Sequence, residues 1–215
     1  TLTGVDDVEE PTEALEKLLE WPSIASKNWV YRQYDHMVRA NTMVNPGSDA
    51  AVSRSKADSV PGGDDREDFA EKLVALAVDC NATHVYLDPY EGSKAAVAEC
   101  ARNLACSGAT PIGTTDNLNF GNPHNPELFW QLKEAVRGLA EGCIAFDAPV
   151  TGGNVSLYNQ NPDGAIDPTP TVAMAGLVEE DRHVTTRWSK EAGDAGSLLG
   201  TPVDSEDALE GLGGS

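Results

Sequence analysis

Between residues 73 and 178 the apolar positions change period several times, and each change marks an element. Leu73-Val74-Ala75-Leu76-Ala77-Val78-Asp79-Cys80 is a short apolar run bounded by polar sequence, which predicts a buried strand. Val97, Cys100, Ala101 and Leu104 then recur at helical spacing and form one face of a helix ending near Ala105. Its start is specified chemically: Asp88 as N-cap, Pro89 in the first helical position and Glu91 closing a capping box. Gly108 supplies its stop. Thr110 to Thr115 predicts the next strand, ending at Asp116. Asn125-Pro126-Glu127 opens a second helix, with Leu128, Leu132, Ala135, Val136, Leu139, Ala140 and Cys143 as its buried face. A strand around Ala148 to Gly152, a turn at Asn161-Pro162-Asp163-Gly164 and a strand from Thr171 to Val178 complete the series.

The flanks are less regular. Residues 1–34 read as a helical lead-in and the end of a preceding domain, with Leu15, Leu18 and Leu19 on one face and a second short helix from Ile24 to Val30. Asp49 to Arg54 predicts a strand, and residues 56–67, with Pro61-Gly62-Gly63-Asp64-Asp65, an exposed and mobile loop. After Glu179-Glu180-Asp181 the character changes, and Gly193 to Thr201 reads as one strand of a further domain. The expected organisation is therefore a lead-in over 1–34, one domain over 35–180 and the start of another over 181–215. The start at Thr1 and the close in Gly213-Gly214-Ser215 suggest a fragment of a longer polypeptide. Alternating strands and helices over 73–178 give the fold class α/β (α+β), a layered domain. Neither G-x-G-x-x-G nor G-x-x-x-x-G-K-[ST] occurs, so dinucleotide and Walker-type sites gain no support.

Charge narrows the partners. Asp and Glu number 35 against 15 Lys and Arg, for a formal net charge of −20. Such a surface repels nucleic-acid backbones and anionic membranes. The acidity is spread along the chain and lysine is scarce, the surface chemistry of a salt-loving organism. Molar salt screens the repulsion within about 3 Å. An acidic interaction protein is the competing reading, but that class is poor in apolar periodicity. Cys80, Cys100, Cys106 and Cys143 form no C-x-x-C pair and have no histidine at ligand spacing, so they read as buried free thiols. With no signal peptide and no apolar run near the length of a membrane span, the expected location is cytoplasmic.

Two polar segments carry the candidate chemistry. One is Asp116-Asn117-Leu118-Asn119-Phe120-Gly121-Asn122-Pro123, the other Thr151-Gly152-Gly153-Asn154-Val155-Ser156-Leu157-Tyr158-Asn159. Each follows an apolar or small-residue run and gathers Gly, Asn, Asp and Ser where the chain should turn. Such segments offer backbone N–H groups, amide and hydroxyl oxygens and little bulk, which suits a phosphate and a hard cation. Asp116 can accept from a base or ribose or hold a cation; it can also simply cap its turn. Gly153 lets a phosphate approach the backbone, or serves a tight turn. Asn154 is a neutral oxygen ligand for Mg2+ already surrounded by phosphate, and Ser156 can bond a substrate oxygen; either could be a local backbone cap. His36, His84 and His124 have no visible Ser or Cys partner, so nucleophilic catalysis is not expected. The few aromatics are not interleaved with basic residues, which argues against base stacking.

These segments, with Tyr31-Arg32-Gln33-Tyr34-Asp35-His36 and Val85-Tyr86-Leu87-Asp88-Pro89-Tyr90-Glu91-Gly92, closely resemble phosphoribosylformylglycinamidine synthases over roughly residues 20–200. The likeness is to the synthetase (large) subunit of the kind that works with a separate glutaminase. The resemblance implies a mixed sheet with helices on one face, an aminoimidazole-ribonucleotide-synthetase N-domain-like half-barrel, and marks the chain as the second such N-domain of a two-repeat enzyme. It implies an ATP-dependent ligase of purine biosynthesis that converts formylglycinamide ribonucleotide, ATP and glutamine-derived ammonia to the formylglycinamidine ribonucleotide, ADP and phosphate. In that reaction the γ-phosphate activates the amide oxygen and ammonia then displaces phosphate. By motif, Asp116 and Gly153 are similar to ATP contacts, Asn154 to a Mg2+ ligand and Ser156 to a substrate contact. The implied partners are a glutaminase subunit and a small accessory subunit. The S-H-N-H-P motif that carries the family's catalytic histidine is absent, with Asp79-Cys80-Asn81 in its place, so no catalytic residue is assigned here and the chain alone should be inactive. With half the barrel missing, homodimerisation through the open sheet is a further expectation. A non-catalytic structural or nucleotide-holding repeat is the alternative, and a related kinase or ligase of the same superfamily a third reading.

Overall fold

Two compact units meet in sequence at Ala40 and Asn41. The computed structural model describes residues 10–56 and 71–195. In the first unit, helix α1 runs Pro11–Glu20 with Pro11 in its first turn, and α2 is the single turn Asn28–Tyr31, shorter than the Ile24 to Val30 segment expected. None of the α1 residues is buried, and Leu15, Leu18 and Leu19 lie exposed on its apolar face.

The second unit is built on a six-stranded sheet. Its strands are β1 (Thr42–Val44), β2 (Ala51–Ser55), β3 (Lys72–Asp79), β4 (Thr110–Asn119), β5 (Val150–Ser156) and, after a small β6–β7 hairpin (Gln160–Asn161 and Gly164–Ala165), β8 (Thr169–Val178). The spatial order is β1-β2-β3-β8-β4-β5. Pairs are antiparallel except β4 with β5, which run parallel. Helices α3 (Ala82–Leu87), α4 (Pro89–Cys106) and α5 (Pro126–Ala145) complete the unit. The parallel pair requires a crossover, and α5 supplies it.

Burial alternates along the central strands. On β8, Pro170, Val172, Met174, Gly176 and Val178 are buried, while Thr171, Ala173, Ala175 and Leu177 are only half-buried. On β3, Leu73, Ala75 and Ala77 are buried, whereas Leu76 and Val78 are exposed. The run expected to be buried throughout is thus buried on one face only. The covered face packs on α4 through Val97, Cys100, Ala101 and Leu104, the residues that periodicity selected. The other face carries Leu76, Val78 and Ile112 in the open.

The helix starts follow local chemistry. The Asp88 carboxylate accepts from Tyr90 N (3.1 Å) and Glu91 N (3.0 Å), and Asn125 Oδ1 accepts from Glu127 N (2.9 Å). The expected capping box does not close. The Asp88 N–H already donates to His84 O (2.9 Å) as the end of α3, so Glu91 turns instead to Lys94 (3.2 Å). Helix α3 itself was not expected; Asn81 caps it by accepting from His84 N (3.1 Å). Gly108 ends α4 at φ +87, as its placement predicted.

The buried face of α5 differs from expectation. Val136 and Ala140 are exposed, and the contact surface is Ala135, Gly138, Leu139, Gly142 and Cys143. The glycines explain the shift. A Cβ on Gly138 would overlap the carbonyl of Tyr90, and one on Gly142 would stand 3.0 Å from Val97 Cβ. Helices α4 and α5 therefore approach closely along a seam that larger side chains would prop open.

Cys100 and Cys143 are buried, and burial pushes the Cys100 thiol up to about 12. Cys106, expected to be buried, is exposed because it is the last residue of α4. The expected turn at Asn161–Gly164 closes β6 onto β7, with Asn161 Oδ1 accepting from Asp163 N (2.9 Å) and Gly164 N (3.1 Å). The loop expected at 56–67 and the strand expected at 193–201 fall largely outside the described residues. No described helix is long and apolar enough to cross a membrane.

Candidate functional site

The two Gly/Asn-rich segments turn only at their ends; their first residues are strand. Asp116–Asn119 is the end of β4 and 151–156 nearly all of β5, paired in register: Asp116 with Gly153, Asn117 with Asn154, Leu118 with Val155 and Asn119 with Ser156, while 120–123 and 157–159 leave the strands. Turn-forming residue types are accommodated here because β5 is the last strand of the sheet, with exposed residues along nearly its whole length. Its outer edge has no neighbouring strand among the described residues, so backbone N–H and C=O groups face outward beside Gly152 and Gly153. In sheets with helical crossovers, ligands bind beyond the carboxyl ends of the strands, which is where this pair lies.

Strand alternation divides the four candidate residues between two faces. Asp116 is paired with the buried Val172 and Leu118 with Pro170, so Asp116 and Gly153 belong to the helix-covered face. Asn154 and Ser156 share the open face with Asn117, Asn119 and Thr115. The two residues expected to contact a nucleotide thus lie on one side of the sheet, and those expected to contact a metal and a substrate on the opposite side.

On the helix-covered face, Asp116 lies across Gly153. A Cβ on Gly153 would collide with Asp116 Oδ1 and stand 2.7 Å from the Asp116 carbonyl oxygen. Burial raises the Asp116 carboxyl above the usual aspartate range. No side chain among the described residues donates a hydrogen bond to it, so its acceptor capacity remains for a donor supplied by a ligand. Gly152 is the reverse case: nothing lies within 4 Å of where its Cβ would point, on the open face.

On that open face Asn154 Nδ2 donates to Asn117 Oδ1 (3.0 Å), and Thr115 Oγ1 donates to Gly152 O (3.0 Å). Ser156 Oγ donates to Asn159 Oδ1 (3.2 Å) and receives Asn159 Nδ2 (3.2 Å). Asn159 also donates to Phe120 O (3.1 Å) and Ser156 O (2.9 Å), which ties the chain leaving β5 to the end of β4. Tyr158, between them, takes φ 65, a region costly for a non-glycine residue, and its hydroxyl approaches His124 Nε2 (3.4 Å). The Asn117–Asn154 contact was invisible in sequence because it depends on register, whereas Asn159 reaches Ser156 locally, three residues along the chain.

The segment Asp79-Cys80-Asn81 is occupied structurally. Asp79 accepts from Asn103 Nδ2 at 3.2 and 3.0 Å, and Asn81 caps α3. Among the described residues no group of three or more His, Cys, Asp and Glu could hold a metal ion. Asn154 and Ser156 are neutral oxygen donors. They fit a supplementary ligand role for a Mg2+ that brings its own phosphate oxygens, not a self-sufficient cage.

A half-covered mixed sheet with polar parallel strand ends defines the class. The chain belongs to the AIR synthase related proteins, matching the N-terminal domain of that family over residues 47–178. Within it, the chain is similar to phosphoribosylformylglycinamidine synthase subunit PurL from Alkaliphilus metalliredigens, at 51% identity over 91% of this chain and 25% of the relative. It is 54% identical to the same subunit from Gloeobacter violaceus, over 89% of this chain and 26% of that one. Among solved structures it resembles PurLQS from Thermotoga maritima, with TM-score 0.62 and 32% identity over 72% of this chain and 24% of that chain. T. maritima PurL complexed with ATP matches at TM-score 0.58 and 31% identity, over 72% of this chain and 23% of that one. The chain spans about a quarter of the length of the curated relatives it matches.

Proposed function

We propose that this chain is the second N-domain of a phosphoribosylformylglycinamidine synthase synthetase subunit, with that domain over residues 35–180, between the end of one domain and the start of another. The enzyme would use ATP to join ammonia from a glutaminase subunit to formylglycinamide ribonucleotide, assisted by a small accessory subunit. The observation that carries this reading is the in-register pairing of the two motif-bearing segments on adjacent parallel strands, Asp116 with Gly153 on one face and Asn117 with Asn154 and Asn119 with Ser156 on the other. The T. maritima relatives complexed with ATP and with FGAR support it.

In this reading Asp116 accepts from the nucleotide, and the bare outer edge beside Gly152 and Gly153 admits phosphate oxygens to backbone N–H groups. Asn154 contributes an amide oxygen to Mg2+, and Ser156 meets the acceptor substrate. Mg2+, when bound, supplies charge neutralisation to the phosphates. None of the four residues needs to gain or lose a proton, so their task is positioning. The acidic surface suits the cytoplasm of a salt-loving cell, where screening removes the self-repulsion.

The open face completes the reading. Leu76, Val78 and Ile112 are exposed, and a shallow depression is lined by Leu76, Ile112, Ala173 and Ala175. An apolar sheet face of this kind requires cover. In the whole subunit the cover would be the N-domain of the other repeat; in the isolated chain it would be a second copy. A monomeric mass by light scattering in molar KCl at high protein concentration would remove the homodimer from this proposal.

The decisive test is Asn154→Ala in the full-length subunit. A large loss of turnover with unchanged melting supports the ligase role. One observation favours a structural role for part of the site: the Ser156 hydroxyl is already committed to Asn159. Intact turnover with lowered stability in Asn154→Ala would overturn the ligase assignment in favour of a structural repeat. Titration of Mg·ATP into the chain itself, with the same substitution as control, tells whether this domain carries nucleotide affinity alone.

A further inference from the structure

We infer that the depression along the β6–β7 hairpin is a ribose subsite, where Asp163, Gln160 and Asn161 hold the hydroxyl groups of the acceptor ribonucleotide. The inference rests on the acceptor-substrate role given to Ser156 above.

The depression has a volume of about 610 Å3, and its lining includes Tyr158, Asn159, Gln160, Asn161, Asp163 and Ile166. That volume is in the range of small-molecule sites. It adjoins Ser156, because Asn159 lines it and the Asn159 amide meets the Ser156 hydroxyl (3.2 Å). The hairpin beneath it is held firmly. Ile166 N donates to Asn159 O (3.0 Å), and a Cβ on Gly121 would stand 2.7 Å from Ala165 Cβ, so the hairpin lies tight against the chain leaving β4. Such a wall needs little ordering when a ligand arrives. Tyr158 N donates to Gly121 O (3.1 Å), which keeps this exposed residue at φ 65. Backbone strain of that kind gathers at ligand clamps.

The lining sorts the ligands. Gln160 Oε1 accepts from Asn122 N (3.2 Å), and Asn161 Oδ1 accepts from Asp163 N (2.9 Å) and Gly164 N (3.1 Å). A backbone N–H only donates, so each of these amides has its oxygen end fixed. Each NH2 group is left without an acceptor among the described residues, and the Asp163 carboxylate without a donor. The depression thus offers two fixed donors, one acceptor and an aromatic ring, and no lysine or arginine lines it. A phosphate there would face the Asp163 charge with no cation to offset it. A vicinal diol fits: its hydroxyls donate to the carboxylate and accept from the amides, while Tyr158 and Ile166 cover its C–H groups. The ribose of the acceptor carries such a diol. ATP carries one too, but Asp116 and Gly153, the residues assigned to it, lie on the other side of the sheet from Ser156.

The test is calorimetric titration of the full-length synthetase subunit in molar KCl with formylglycinamide ribonucleotide, its 2′-deoxy and 3′-deoxy counterparts, and ATP. The variants are Asp163→Ala and Asp163→Asn, each with a melting curve. Asparagine suits the hairpin turn as well as aspartate does, so the second variant keeps the fold if the first does not. Asp163→Ala should weaken the parent ribonucleotide about tenfold or more, as loss of a hydrogen bond to a charged group does. At least one deoxy counterpart, lacking the bonded hydroxyl, should lose distinctly less, and ATP affinity should not change. Asp163→Asn should show the same selective loss in smaller degree. Equal losses for the parent and both deoxy ligands would overturn recognition of the diol. A loss confined to ATP would overturn the assignment to the acceptor, and unchanged affinity for every ligand in both variants would overturn the subsite. Failure of the unaltered subunit to bind formylglycinamide ribonucleotide at all is a separate result: it would overturn the proposed function, and this inference with it.

Discussion

Gly152 and Gly153 are consecutive in sequence, yet alanine at the two positions should have opposite consequences. Neither takes a positive φ, so an added methyl group adds no backbone strain at either place. At Gly153 the new Cβ would collide with Asp116 Oδ1, with Asp116 Cγ at 2.9 Å and the Asp116 carbonyl oxygen at 2.7 Å. The side chain of Asp116 can rotate away, but the carbonyl belongs to the paired strand and can yield only by opening the β4–β5 ladder. Overpacking of this kind costs about 1–3 kcal/mol, against which the lower entropy of an unfolded alanine returns about 0.4–1 kcal/mol. The expected net loss for Gly153→Ala is about 1–2 kcal/mol, a melting temperature lower by about 2–8 °C. At Gly152 no atom lies within 4 Å of the new Cβ, so Gly152→Ala should fall within about 0.5 kcal/mol of wild type or gain slightly. Urea unfolding in molar KCl measures both, since urea leaves the ionic strength fixed. The double variant Asp116→Ala/Gly153→Ala separates side-chain from backbone conflict: it should recover part of the loss, never all of it. Equal stability of the two single variants would refute the packing account of Gly153. Its glycine would then be required only by what approaches from outside.

Asp88→Ala removes the acceptor for Tyr90 N and Glu91 N at the start of α4, and should cost about 1 kcal/mol in the same unfolding assay. Gly138→Ala would press a methyl onto the Tyr90 carbonyl, so it should destabilise despite alanine's better helix propensity; a stabilised variant in thermal melts would contradict the close α4–α5 seam. Burial raises the Asp116 carboxyl above its unfolded value. The fold therefore prefers it protonated, and its contribution is fully present below the unfolded pKa and lost as pH rises through the folded one. Asp116→Asn should raise the melting temperature at neutral pH and remove that part of the decline, which melts across the acidic range and at pH 7 would show.

Much of the scaffold was legible because its signals are local. Asp88-Pro89 and Asn125-Pro126 each specify a helix start through a cap and a ring-fixed φ, and both helices begin there. The site was legible as chemistry but not as geometry. Gly, Asn and Asp at 116–119 and 151–156 argued for turns, since such residues favour turns when nothing else constrains them, yet both stretches are strand. The constraint was tertiary: β4 is held between β8 and β5, and β5 needs a partner on one side only. Because side chains alternate, only the register shows that Asp116 and Asn154 face opposite sides of the sheet. The buried face of α5 was displaced for a similar reason. Gly138 and Gly142 look like weak points in a helix until α4 is known to press against them.

The place of β8 bears on how the protein is made. Among the described residues it is the last strand of the sheet to be reached along the chain, yet it sits between β3 and β4, joining Leu73 to Val178 and Thr110 to Leu177. During synthesis β3 and β4 therefore leave the ribosome with facing edges that cannot close on each other. At about 5–20 residues per second, the nascent chain carries two open half-sheets for several seconds before the joining strand is translated. A bare apolar edge in that interval invites pairing with other unfinished chains. Release of a polypeptide ending before Thr169 would leave that state permanent, so stalling or premature termination in this stretch should yield aggregates rather than a smaller folded domain.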